Sequence, residues 1–191
     1  MTQTINDGWK FSLFEGDAST ADFDVSGWTD VSIPHTWNSK DAEDEIPGYF
    51  RGKGWYRKAV TVEELIAGQR VYLCFEGANQ ETNVFVNGKL VGNHKGGYSA
   101  FTFDVTDYVH TGRNLVAVSV DNSYNPDIAP LSADFTFLRR TLSGCLSGVY
   151  FARATVYHPL CFQWSISQNC WNNRRSSGSV CKNILVQCFE K

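Results

Sequence analysis

At 191 residues the chain has room for one domain, or for one domain and a fragment, and with 42% hydrophobic and 14% aromatic residues it can fill a core. Its formal net charge of −3 hides a break: up to Phe137 there are 10 Lys and Arg against 19 Asp and Glu, and from Leu138 onward 7 against 1. The late positive charges are scattered rather than clustered, which speaks against a nucleic-acid partner, and no stretch is long enough to span a bilayer.

The start, MTQTINDGWKF, has neither a basic run nor an apolar one, so no signal peptide is expected and the expected location is cytoplasmic. Trp9 to Leu13 reads as a strand. An Asp/Ser/Gly connection follows, then Trp28 to Ile33. Residues 33–58 gather Pro34, His35, Trp37, Tyr49, Phe50, Arg51, Trp55, Tyr56 and Arg57 around an acidic patch of Asp41, Glu43, Asp44 and Glu45, closed by Pro47-Gly48. Rings beside carboxylates and arginines can hold a sugar, with ring faces on C–H groups and polar groups on hydroxyls. The same composition can anchor a long loop onto a sandwich, and composition does not separate the two.

Trp55 to Val62 alternates as a strand should. Glu63 to Gly68 makes at most one helical turn. Arg70 to Glu76 sets Val71, Leu73 and Phe75 on one face and Tyr72 and Cys74 on the other, with Cys74 a small buried residue. Thr82 to Val86, Asn87-Gly88 and Lys89 to Val91 spell a hairpin, because Asn-Gly supplies the positive φ angles of a type I′ turn. Phe101 to Val105 and Leu115 to Val120 are further strands. A period near 2 throughout, with short strands joined by Gly/Asn turns, predicts an all-β, two-sheet sandwich.

The wording of these segments carries more than their period. Ile33-Pro-His-Thr-Trp-Asn38, Tyr49-Phe-Arg-Gly-Lys-Gly-Trp-Tyr-Arg-Lys58, Phe75-Glu-Gly-Ala78, Val86-Asn-Gly-Lys89, Val91-Gly-Asn-His94, Gly97-Tyr98, Phe103-Asp-Val-Thr106 and Val120-Asp-Asn122 occur in order. Together they resemble the N-terminal domain of family 2 glycoside hydrolases, the β-galactosidases with their β-glucuronidase and β-mannosidase relatives. The resemblance runs from about Trp9 to Phe137. It implies a jelly-roll sandwich over residues 1–137, a carbohydrate partner of the β-galactoside kind, a homo-oligomeric parent enzyme and no cofactor.

It also implies that the catalysis lies elsewhere. Retaining glycosidases use two carboxyl groups roughly 5 Å apart, and in this family both are glutamates on a later barrel. Glu43, Glu45, Glu63, Glu64, Glu76 and Glu81 match no catalytic motif, so no catalytic residue is expected here. His35 reads as a hydrogen-bonded structural residue, and His94 and His110 as ordinary surface ones. In the family's β-galactosidases the last long loop of this domain offers an Asp to the sugar, shortly before a Gly-(Ile/Leu)-(Tyr/Phe)-Arg-Asp-Val strand. Asp134 occupies that place, and Asp41 in the acidic loop is the second candidate for substrate binding. A free-standing carbohydrate-binding module and a purely structural domain remain the rival readings.

After Phe137 the expected last strand is missing. Five of the six cysteines, Cys145, Cys161, Cys170, Cys181 and Cys188, also fall after it, without the CxxC or Cys/His spacing of a metal site. Written with suitable synonymous codons, Phe137 to Gly148 becomes, on loss of one T, Phe-Tyr-Gly-Gly-Leu-Tyr-Arg-Asp-Val-Tyr-Leu, which is the missing motif. Residues 138–191 therefore read as an out-of-frame tail, expected to stay largely mobile and to form no disulfide framework. Within it, Gly148 to His158 alternates well enough to pair as a substitute last strand.

Overall fold

Which side chains turn inward follows from the pleat, and the pleat sorts the chain into two antiparallel sheets. The computed structural model describes residues 2–37, 50–97, 99–128 and 145–154. In chain order the strands are β1 (Thr2–Thr4), β2 (Trp9–Leu13), β3 (Thr29–Val31), β4 (His35–Thr36), β5 (Lys53–Val62), β6 (Arg70–Ala78), β7 (Glu81–Val86), β8 (Lys89–Lys95), β9 (Phe101–Asp104), β10 (Gly112–Asp121) and β11 (Cys145–Ala154). One sheet has six strands in the order β3-β2-β5-β10-β7-β8, and the other has five, β1-β11-β6-β9 with β4 also on β11. The two make a jelly-roll β-sandwich.

The inner faces meet in one core. Trp9, Tyr56, Val84, Val86, Val116, Val118 and Val120 come from the six-stranded sheet, Val71, Leu73, Phe75, Phe101 and Phe151 from the other. Trp9 is fully buried and donates its indole N–H to the Ile5 carbonyl at 2.6 Å, so its one polar atom enters the core satisfied. Each of the buried valines contributes about 1.5–3 kcal/mol relative to an exposed one. The β7–β8 hairpin turns on Asn87 at φ 51° and Gly88 at φ 80°, the conformation an Asn-Gly turn provides.

β11 takes the place where the last strand was expected to be missing, and it overlaps the Gly148–His158 segment. It pairs with β6 from Leu146↔Ala78 to Ala154↔Arg70. The compact unit accordingly runs to Thr155, past the boundary expected at Phe137, because β11 brings the chain back into the sheet. Residues 155–191 lie outside the described residues, and with them the expectations for the rest of the tail.

The outer face of the six-stranded sheet is covered as well. Trp55 and Arg57 point away from the main core, and residues 14–28 cross over them. Trp55 packs with Ala18 and Ala117 and donates to the Gly16 carbonyl at 3.1 Å. Arg57 is 4% exposed and forks its guanidinium onto the carbonyls of Ala18 (2.8 Å) and Thr20 (2.7 Å), with the Phe23 ring 5.5 Å below it. Burial lowers its pKa, with Asp22 acting the other way. Arg57→Ala is expected to destabilise the fold by about 2 kcal/mol, since buried carbonyls lose a charged donor. Urea unfolding midpoints check this, and a midpoint unchanged within error would show the crossing segment needs no clamp.

Candidate functional site

Strand register shows what gathers at one end of the sandwich. β2 and β10 finish there and β5 begins there, because Leu13 pairs with Gly54 and Asp121 with Lys53. β11 begins there too, with Cys145 opposite Thr36 and Leu146 opposite His35. The described residues that flank segments 38–49 and 129–144 are Trp37, Phe50, Ile128 and Cys145. Asp41 and Asp134 themselves lie outside the described residues. Three of the four flanking positions are tied to this one end by the pairings just given and by the contacts of Asn122.

Asn122 is 3% exposed and holds the chain where it re-enters β5. Its Oδ1 accepts from the Gly52 N–H at 2.7 Å, its Nδ2 donates to the Phe50 carbonyl at 2.9 Å, and its own N–H donates to the Gly52 carbonyl at 3.2 Å. In the sequence, Asn122 stands only as the end of the phrase Val120-Asp-Asn122. An asparagine just past an alternating strand, where both of its amide groups can reach another backbone, is the signal that was available.

Beside it the rings close over one another. Trp37 stacks on Phe11 at 5.6 Å between centroids, Phe11 leans on His35 at 4.6 Å and on Tyr56 at 4.8 Å. Gly54 makes room for this: a Cβ there would stand 2.7 Å from the Trp37 ring and 2.9 Å from that of Phe11. The Trp37 indole N–H is buried and has no partner among the described residues. Further out, the same end shows exposed Leu13, Phe14, Phe50 and Tyr124, with the Arg51 guanidinium 5.9 Å from the Tyr124 ring. Described residues therefore supply rings and backbone order here.

The histidines are part of this order. His35 Nδ1 lies 2.9 Å from the Tyr56 hydroxyl, which bears out the structural reading. His94 differs from the expectation of an ordinary surface residue: it is half-buried and lies flat on Phe101 at 4.0 Å, with Ser99 Oγ 3.3 Å from its Nε2. Burial lowers both pKa values from 6.5. In the unfolded chain both rings therefore take a proton more readily than in the folded one. Stability is expected to fall as pH drops through about 6.5 and to go on falling until the folded rings also protonate. Melting temperatures between pH 7.5 and 5 check the sign, and a flat profile would contradict it. His35→Gln should remove part of the slope.

Cys74 is 1% exposed, and burial pushes its thiol up to about 11. It is a packed residue, not a nucleophile. Among the described residues no group of three or more His, Cys, Asp or Glu side chains is placed to hold a metal, and no helix is long and apolar enough to cross a membrane.

Comparison with known proteins places this geometry. The family model described as glycosyl hydrolases family 2, sugar binding domain, matches residues 2–132. The β-glucuronidase of Bacteroides fragilis is 36% identical over 166 residues, covering 80% of this chain and 22% of that protein. The β-galactosidase of Thermoanaerobacter pseudethanolicus is 39% identical over 130 residues, 67% of this chain and 16% of its own. Among solved structures, β-glucuronidase 2 of Bacteroides uniformis, covalently bound to cyclophellitol-6-carboxylate aziridine, superposes with a TM-score of 0.71 at 40% identity, over 81% of this chain and 18% of that one. The chain thus spans less than a quarter of the length of these relatives.

Proposed function

Since the chain belongs to glycosyl hydrolase family 2, as its sugar-binding domain, we propose that it serves as the N-terminal, non-catalytic part of a retaining β-glycosidase of the β-galactosidase or β-glucuronidase type. The observation that carries this reading is the family match over residues 2–132 of a two-sheet sandwich. The bond-breaking chemistry, a double displacement by two carboxyl groups about 5 Å apart, then belongs to the span of the relatives that this chain does not cover. Its own share is to shape one wall of the sugar site. Asp134, with Asp41 second, accepts hydrogen bonds from sugar hydroxyls, and a carboxylate does so more strongly than a neutral group. The parent enzyme is read as cytoplasmic and homo-oligomeric, acting on β-galactosides or β-glucuronides.

A domain that lends one carboxylate to a site built elsewhere presents few convergent polar groups and binds free sugar weakly. Calorimetry of the 191-residue chain with galactose and with glucuronate is expected to show at most millimolar affinity. Micromolar binding lost in Asp134→Ala would overturn the proposal in favour of a free-standing carbohydrate-binding module.

A further inference from the structure

The turn between β7 and β8 is a reactive pair as well as a conformational one. Asn87 is the chain's only asparagine followed by a glycine, and asparagine is a thermolabile residue. Gly88 has no Cβ, so nothing on that residue screens its peptide nitrogen from the Asn87 side-chain carbonyl carbon. Attack by this nitrogen on Cγ closes a succinimide ring. The N–Cγ bond forms, the Cγ–Nδ2 bond breaks, and the Gly88 amide proton leaves with Nδ2 as ammonia. Water then opens the ring at either carbonyl. One opening gives aspartate, and the other gives isoaspartate, in which the backbone runs through the side chain. The balance is one water taken up and one ammonia released, with no change of oxidation state.

In the folded chain the Asn87 side chain is fully engaged elsewhere. Nδ2 donates to the Tyr108 carbonyl and to Asn114 Oδ1, and Oδ1 accepts from the Leu115 N–H, each at 2.9 Å. The Asn87 N–H donates to the Leu115 carbonyl at 2.8 Å. To reach the Gly88 nitrogen, Cγ has to swing back over its own turn and give up all three side-chain bonds, which act as a network. We propose that Asn87 is a water-dependent deamidation site that these bonds hold shut, and that its conversion in the opened chain makes prolonged unfolding irreversible.

The second half of the proposal follows from what the product offers its neighbours. An aspartate at position 87 has acceptor oxygens and no N–H. The Tyr108 carbonyl and Asn114 Oδ1 then lose their donor and meet a negative charge. Asn114 is fully buried and has no free N–H to turn toward it: Oδ1 also accepts from the His110 N–H, and Nδ2 donates to the His110 and Gly112 carbonyls. Isoaspartate lengthens the backbone inside a turn that spans only Asn87 and Gly88, and so opposes the Val86↔Lys89 pairing. Either product works against return to the native hairpin.

The test uses the full 191-residue chain, kept reduced in mildly alkaline water enriched in heavy oxygen, with and without urea. Peptide mapping by mass spectrometry follows heavy oxygen entering residue 87, which marks each conversion. Without urea the conversion is expected to be slower by roughly tenfold or more, because it waits for the hairpin to open. After dilution from urea, label at residue 87 should be confined to the fraction that does not refold. Gly88→Ala, read in urea where its effect on the turn plays no part, should slow conversion, since the new Cβ crowds the attacking nitrogen. Asn114→Ala without urea should convert faster than the unaltered chain, whether it stays folded with two of the three bonds left or unfolds outright. Equal rates with and without urea, no label at residue 87 in urea, labelled chains that refold as well as intact ones, or an Asn114→Ala chain that converts no faster would each overturn the proposal.

Discussion

Replacing Asn114 by alanine is expected to cost roughly 3–4 kcal/mol and to leave much of the protein unfolded at 37 °C. Asn114 is fully buried at the end of the sandwich opposite the aromatic cluster. Its Oδ1 accepts from the His110 N–H and from Asn87 Nδ2, both at 2.9 Å, and its Nδ2 donates to the carbonyls of His110 at 2.6 Å and Gly112 at 3.0 Å. Asn87 in turn donates to the Tyr108 carbonyl and accepts from the Leu115 N–H, each at 2.9 Å. One side chain thus ties the hairpin turn, residues 108–112 and the start of β10. Alanine would leave these groups buried without partners, at about 1–3 kcal/mol for an unsatisfied group, and the bonds act as a network. Against a total stability of about 5–15 kcal/mol for a domain, that is a large share. Equilibrium urea unfolding measures it. A loss below about 1 kcal/mol would show that water replaces the side chain.

Of this network, the sequence marks Asn87 as a turn former and reads His110 as a surface residue. Asn87-Gly88 marks the hairpin by local backbone preference, and the φ angles agree with it, but that Asn87 also reaches Tyr108 and Asn114 depends on contacts distant in sequence. The same division holds elsewhere. β2 coincides with the alternating Trp9–Leu13, and β5, β6, β7 and β10 each contain the segment read from alternation, because a half-buried strand writes its period into its side chains. β1 and β4 have three and two residues, too few to show any period. Arg57 illustrates the converse. Alternation places it on the outer face, where a charge would be solvated, and only the crossing of residues 14–28 turns that face into an interior. Asp134 is proposed from the family wording and Asp41 from the acidic loop, since a carboxylate in a loop has no physical signature of its own. The Asn122 clamp and the Gly54 clearance were not legible, because each serves a partner that the fold brings near.

The coding DNA carries the prediction with the largest effect: removing one base near codon 137 is expected to turn a chain without hydrolytic turnover into the start of an active β-glycosidase. As it stands, the 191-residue protein should hydrolyse no nitrophenyl β-galactoside or β-glucuronide above a mock purification. In the restored frame positions 141–147 read Leu-Tyr-Arg-Asp-Val-Tyr-Leu in place of the present Thr141 to Ser147. Those positions overlap the start of β11, so the restored strand is expected to enter the same slot between β1 and β6, opposite Ala78 and Gly77. The reading makes sharp demands on the gene. Leu138 must end in TA, Arg139 must be CGG, Arg140 must end in GG, Ser143 must be TCG and Gly144 must be GGA, because no other codons yield the family motif one base over. A different serine codon at 143 or glycine codon at 144 would refute it without any protein being made. If the codons fit and the frame runs on, Asp134→Ala in the restored enzyme should weaken substrate by roughly 1.5–3 kcal/mol, the range for hydrogen bonds to a charged group. That is about 10- to 150-fold in kcat/KM at 1.4 kcal/mol per factor of ten. An interaction made equally in ground and transition states should place the loss in KM. A loss confined to kcat would instead put Asp134 at the reacting bond, and an unchanged kcat/KM would remove it from the sugar site.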